Sequence, residues 1–362
     1  MAVTRRRFLS LAGGSAAGAV LFQACGVPED ELLVQAPVEM PEDLVEGFDI
    51  RYATLCRQCP TSEGVVVRVM GGRAKKVEGN VDYPINQGKH SARCEAALQD
   101  LYHPDRISAP LVRVGDRGEG RWEEISWTDA LSRVSSQISK LNGQEVVLST
   151  GPVGGHLGKV VDSFAGKLGA RQVPYETIEN TNLQAAVRYV FGQEVLPDFD
   201  IANADYVLSF GADFLNTWLS PVRYAKAYGD FRQGERERGT LVHVDSRFSM
   251  TGANADEWVY VKPGWEGHLA LSIASAIVSA GGGDSDAVAK LTNGVDLDQY
   301  SADRVSAATG VSADRIKHIA EEFASHGPSL SIGGGAAAAH TNGLFNMKAI
   351  YSLNQLVGNV GQ

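Results

Sequence analysis

Cys56 and Cys59 are spaced C-x-x-C, and Cys94 returns after a valine-rich run from Val65 to Val69, the pair Gly71-Gly72, and a second run from Ala74 to Val77. Two thiolates at that spacing grip one edge of a metal or cluster, and an intervening hairpin brings a distant third ligand beside them. Three chemistries stay open for these cysteines: a Cys56–Cys59 or Cys59–Cys94 disulfide with one thiol over, a cluster with incomplete ligation, or free buried thiols. A second set of residues suits nucleotides. The turns Gly151-Pro152-Val153-Gly154-Gly155, Gly211-Ala212-Asp213 and Gly333-Gly334-Gly335 each follow an apolar run. Glycine there lets backbone N–H groups approach a phosphate, although a tight strand-to-helix turn asks for glycine with no ligand at all. None of the three is G-x-G-x-x-G. There is no H-E-x-x-H, P-loop or G-x-S-x-G, so hydrolase and ATPase readings have nothing to rest on.

The elements that must position these groups fall into two regions. Residues 48–107 read as a small β domain carrying the cysteines. Residues 108–362 read as an α/β domain, entered through a helix with Ser126 or Thr128 as its hydroxyl N-cap. Strands follow at 145–149, 205–210, 240–244, 257–261 and 329–332, with helices at 159–168, 266–280 and 313–325. Short apolar strands followed by glycine-containing turns predict a doubly wound, mostly parallel, Rossmann-like sheet covered on both faces.

The N-terminus carries a targeting signal. Thr4-Arg5-Arg6-Arg7-Phe8-Leu9 and the Gly/Ala-rich apolar stretch to Ala24 have the form of a Tat export signal, and Leu21-Phe22-Gln23-Ala24-Cys25-Gly26 has the form of a lipobox with Cys25 lipidated. Residues 1–25 are therefore expected to be signal and 26–47, with Pro28, Pro37 and Pro41, a tether. The expected location is periplasmic, or the outer face of the cytoplasmic membrane, held by a lipid anchor. In 362 residues, 33 basic against 43 acidic side chains give a net charge of −10, which makes nucleic acid an unsuitable partner.

From Arg51 to Ile107 the chain resembles the iron–sulfur domain that opens the molybdopterin (bis-MGD) oxidoreductases, which pair a 4Fe–4S cluster with a molybdenum centre. The framework Val77-Glu78-Gly79-Asn80, Asp82, Pro84, Asn86, Gly88 and Leu101-Tyr102-His103-Pro104-Asp105-Arg106 carries that resemblance. On it, two of the four cluster cysteines fall on Cys56 and Cys59, the third on Glu63 and the fourth on Ser91. Arg93 falls where the family keeps a basic residue between cluster and pterin, and Cys94 where it usually keeps glycine. Further on, Gly211, Asp213, Asp245 and Arg247, Asp256, Gly264 and Gly334 fall on positions that line the family's cofactor. The metal-ligand loop corresponds to 174–182, which holds no cysteine; Thr177 or Glu179 are its oxygen donors.

Phe210 to Gly229, Met250 to Trp258 and Gly333 to Asn346 further resemble the molybdopterin-like half of the B subunit of bacterial alternative complex III, a membrane quinol oxidoreductase. The resemblance implies a structural subunit with both the cluster and the molybdenum cofactor absent or degenerate. Its partners would be a ferredoxin-like iron–sulfur protein or domain and other membrane-complex subunits. The alternative is a catalytic molybdenum oxidoreductase of the polysulfide reductase kind, and a third reading is a protein that holds a nucleotide without metal. The family continues beyond residue 362, so the chain is expected to be incomplete or one piece of a split subunit, with Ile350, Leu353, Leu356 and Val357 left facing a partner.

Overall fold

The computed structural model describes residues 48–361, apart from 60, 142–145, 152, 176–179, 234–236, 285, 289–293 and 295. The export signal, Cys25, the tether, Thr177 and Glu179 lie outside the described residues.

Three antiparallel strands, β1 (Ile50–Cys56), β2 (Glu63–Met70) and β3 (Arg73–Gly79), form a meander in the order β1-β2-β3. Gly71 and Gly72 turn β2 into β3 with φ of 55° and 71°, the left-handed pair that a two-residue hairpin requires. Helix α1 (Ala92–Leu101) closes the meander; its N-cap Ser91 accepts a hydrogen bond from the Cys94 N–H. Cys56, Val65, Val77 and Cys94 make the small core between them. Buried Asn86 ties the return loop to β2 through both the N–H and the carbonyl of Gly64, at 2.8 and 2.9 Å.

A short hairpin, β4 (Leu111–Arg113) with β5 (Trp122–Glu124), leads into α2 (Trp127–Ile138), which Ser126 caps. Then β6 (Val147–Thr150), α3 (Gly155–Leu168) and β7 (Arg171–Pro174) form one parallel βαβ unit. Helix α4 (Thr181–Phe191) leads to the main unit: β8 (Tyr206–Phe210), α5 (Pro221–Arg232), β9 (Thr240–Val244), α6 (Met250–Asn254), β10 (Glu257–Val259), α7 (Glu266–Ser279), α8 (Ala302–Thr309), α9 (Ala313–Ser325), β11 (Ser329–Gly333) and α10 (Gly343–Leu356). Its strands run parallel in the order β10-β9-β8-β11. Every residue of β8 is buried, as expected of a central strand covered on both faces.

The α/β architecture is therefore the expected one, with its strands divided: β6 and β7 make a sheet of their own. Their unit is thinly covered. Val147, Leu157, Val160 and Phe164 are exposed, as are Trp127, Leu131 and Val134 on α2.

The expected open face at the end of the chain is corrected. Ile350, Leu353 and Leu356 are buried, and Val357 is half-buried against the same core, because α10 packs against α7, α4 and β11. Its buried polar residues take backbone partners: Asn354 bonds the N–H and carbonyl of Ser331, and the Tyr351 hydroxyl donates to the Gly333 carbonyl. No helix among the described residues is long and apolar enough to cross a membrane.

Candidate functional site

The register of β1 on β2 sets Cys56 directly opposite Glu63, and α1 brings Cys94 onto the same spot. Cys94 is fully buried. Its Sγ donates to Glu63 Oε2 at 2.9 Å, and it packs with Cys56 in the small core. The backbone N–H of Ser91 donates to the same Glu63 oxygen at 3.2 Å. Cys59 shares a cavity wall with Ser91, and the Arg93 guanidinium points a nitrogen at its Sγ from 3.9 Å. All three thiols are free, so neither disulfide open to the sequence is formed.

This arrangement tests the fit of a four-thiolate cluster. The four family positions, Cys56, Cys59, Glu63 and Ser91, do converge, but two of the four donors are hard oxygens, poor partners for a soft iron–sulfur core. The fifth side chain, Cys94, donates to Glu63 Oε2, while Glu63 Oε1 is buried with no hydrogen-bond partner. Burial, followed by the hydrogen bonds to Cys56 and Glu63, pushes the Cys94 thiol far up. Burial, and then the Glu63 charge, push the Cys59 thiol up against the hydrogen bonds from Arg93 and Ser91. The residues present do not fit a 4Fe–4S cluster.

Two of the three glycine turns are closed by the chain itself. A Cβ on Gly334 would stand 2.1 Å from Trp218 Nε1. Gly211, at φ 63°, lies so close to the β11 turn that a Cβ would meet the Ala337 nitrogen and the Gly334 carbonyl at 2.8 Å each. These glycines admit Trp218 and the neighbouring backbone, which leaves no cradle for a phosphate. The turn after β6 differs. Gly151, Gly154 and Gly155 line a cavity of about 1030 Å³ together with Arg57, His156 and Arg223.

The acidic residues divide likewise. The Asp213 carboxylate is buried and accepts from the Thr251 N–H and hydroxyl at 3.1 and 2.8 Å and from Arg247 Nη2 at 3.2 Å. Asp256 is enclosed by Arg232, Arg238 and the Leu241 N–H. Both are spent on the fold. Asp245 is different: Oδ1 accepts the Arg247 N–H at 3.1 Å, while Oδ2 is buried without a hydrogen bond. His243 Nε2 approaches that oxygen only to 3.5 Å and is already shared with the Ser249 hydroxyl. Burial raises the Asp245 pKa, yet His243 and the Arg247 N–H outweigh it and hold the carboxyl below its ordinary range. Gly264, at φ 84°, makes the Pro263-Gly264 turn, and its carbonyl accepts from Asn342.

Three groups escaped sequence reasoning. Glu266, read only as a helix start, is buried with Oε1 unpartnered and Oε2 held by Asn346 at 3.2 Å. His243 is fully buried between Ser209 and Ser249. Trp218 plugs the Gly334 turn. The histidine and the tryptophan carry no local signal, since each depends on contacts across the sheet. Glu266 had one: a carboxylate two residues after a Pro-Gly turn, at the mouth of a parallel sheet.

Arg93 and Cys59 line a cavity of about 950 Å³ between α1 and α5, with Lys89, His90 and Lys226 against one acid, Asp230.

Comparison with known proteins identifies the family and the fold. The description of the molybdopterin oxidoreductase family matches residues 106–362. The chain is 28% identical over 378 aligned residues to the menaquinone reductase molybdopterin-binding-like subunit of Nitratidesulfovibrio vulgaris, covering 100% of this chain and 52% of that protein. It is 23% identical to the thiosulfate reductase molybdopterin-containing subunit of Salmonella typhimurium, covering 99% of this chain and 47% of that one. The chain thus spans about half the length of these relatives. Acetylene hydratase from Pelobacter acetylenicus shares the fold, with a TM-score of 0.69 at 20% identity over 85% of this chain and 43% of that structure.

Proposed function

This chain belongs to the molybdopterin oxidoreductase family, and we propose that within it the chain is a structural subunit, or part of one, of a quinol-linked membrane electron-transfer complex. The observation that carries the reading is the Glu63–Cys94 hydrogen bond. The third ligand position of the family's cluster is a carboxylate engaged with a neighbouring thiol, and the fourth, Ser91, serves as a helix cap. A domain that cannot assemble the cluster still offers its family's docking shape to redox partners. The similarity to a subunit named molybdopterin-binding-like, of a menaquinone reductase, supports the same role.

In this reading the chain is exported by the Tat route, is tethered through a lipidated Cys25, and packs beside a ferredoxin-like protein or domain and other membrane subunits. It performs no catalysis alone. A second reading is favoured by one observation each at two places: the open turn at Gly151–Gly155 and the unpartnered Asp245 oxygen suit a nucleotide retained without metal.

The test is metal and nucleotide analysis of the natively purified complex. The structural reading expects no molybdenum or tungsten, no iron beyond the partners' share, and no released nucleotide. Nucleotide without molybdenum would support the second reading. Stoichiometric molybdenum would overturn both and favour the catalytic alternative.

A further inference from the structure

The small domain keeps three buried thiols for which a cluster-free subunit has no evident use. Two of them converge on one residue. Cys56 and Cys94 share the small core and both meet Glu63, whereas Cys59 lies outside that core, with Arg93 Nη1 3.9 Å from its Sγ on the wall of the 950 Å³ cavity. Strand register supplies the reason. Cys56 closes β1 opposite Glu63, with facing Cα atoms about 4.5–5.5 Å apart in such a ladder, and Cys94 is bonded to that same Glu63 from the first turn of α1.

We propose that Cys56 and Cys94 are a redox pair that a small peroxide converts into a disulfide joining the end of β1 to the start of α1. Cys56 is the less deeply buried residue of the two, 8% exposed against 0% for Cys94, and is assigned as the sulfur that peroxide oxidises first. Its sulfur attacks the peroxide O–O bond, becomes the sulfenic acid and releases one water. The Cys94 sulfur, its proton passing to the Glu63 carboxylate 2.9 Å away, then attacks the sulfenic sulfur; the S–S bond forms, the S–O bond breaks, and the departing oxygen takes that proton up as a second water. The two sulfurs supply the two electrons that reduce the peroxide. The pairing differs from both disulfides that the C-x-x-C spacing suggests, because Cys59 faces Arg93 rather than its neighbours in the core.

Oxidation also removes the hydrogen that Cys94 donates to Glu63, so the link replaces one anchor of the α1 N-terminus with a covalent one. Arg93, adjacent to Cys94 and facing the cavity, is then held by a helix start that can no longer lift from the sheet.

The experiment treats the full chain, first reduced, with hydrogen peroxide, denatures it in an alkylating agent and maps the peptides by mass spectrometry. The expected result is a Cys56–Cys94 cross-link, two hydrogens lighter than the separate peptides and reversed by dithiothreitol, with Cys59 alkylated. The Cys59→Ala variant should form the same link, and the linked form should melt at a higher temperature than the reduced one. Alkylation of all three cysteines after peroxide, or a link that contains Cys59, would overturn the proposal. Because Cys59 lies outside the small core, Cys59→Ala tests the pairing without disturbing that core.

Discussion

Glu63 and Cys94, 31 residues apart in sequence, meet at 2.9 Å, thiol to carboxylate, in the core of the small N-terminal β domain. The contact joins the start of β2 to the first turn of α1, and it engages the side chain at the third of the positions on which the resemblance places cluster ligands.

Restoring the ligand set gives the most direct prediction. The double variant Glu63→Cys with Ser91→Cys places thiols at all four family positions. After anaerobic reconstitution it should take up iron and sulfide and gain a broad visible absorption that the unsubstituted chain lacks. Equal iron uptake by the two proteins would contradict the account of the donor set given above.

Gly334 should matter to the fold in the absence of any ligand. Its φ of 166° is ordinary extended backbone, so the effect of a side chain there is purely one of space. With Trp218 Nε1 only 2.1 Å from the place of a Cβ, Gly334→Ala forces the indole to move and should cost about 1–3 kcal/mol, read as a lower urea midpoint. A glycine kept only for phosphate approach would show no such loss in the ligand-free chain.

Asp213 holds α6 to the end of β8 through the Thr251 N–H and hydroxyl. Asp213→Asn replaces one acceptor oxygen with a donor and leaves a buried donor facing donors. A loss of about 1–3 kcal/mol is expected, and Thr251→Val in the same background should add less than it does alone, since the two changes share a hydrogen bond.

Acid should weaken the tie between α5 and the β9–β10 edge. Burial raises the Asp256 pKa, but the Arg232 hydrogen bond and the Leu241 N–H outweigh it and hold the carboxyl below its ordinary range. A depressed folded-state value means that the contribution is complete above the unfolded pKa of about 3.9 and is lost as pH falls through the folded value. Urea midpoints measured from pH 6 downward should fall less steeply for Asp256→Asn than for the parent chain. Parallel pH profiles would show that the tie contributes nothing to acid stability.

Much of the fold was legible because strand and helix periods alternate clearly after residue 200: β8, β9 and β11 begin and end within one residue of the apolar runs read at 205–210, 240–244 and 329–332. The separation of β6–β7 was not legible, since a short apolar strand carries no mark of which sheet it joins. Nor was the burial of α10. Ile350, Leu353 and Leu356 make a stripe that looks unpartnered in sequence, and the cover comes from the neighbouring strand β11 and from α4 and α7, two helices far away along the chain. The candidate site was legible by position and not by state. Cys56, Cys59, Glu63 and Ser91 converge as the resemblance implies, but the hydrogen bond that spends Glu63 depends on a strand register that no local pattern encodes. Asp256 illustrates the same limit: its place in the motif suggested a cofactor contact, whereas the two arginines that enclose it come from α5 and the loop that follows.

The isolated pair β6–β7 has a consequence for how the chain breathes. Among the described residues its two strands are joined to each other and to no other strand, and the helix between them, α3, keeps Leu157, Val160 and Phe164 in water. Few apolar contacts hold this unit closed, so amide deuteration should proceed there through small, frequent openings. Amides of β8, locked between two neighbours and buried throughout, should exchange only when the whole domain lets go. Native-state exchange would then resolve two tiers within one chain, and residues 147–174 would act as its first segment to yield under mild denaturant or protease.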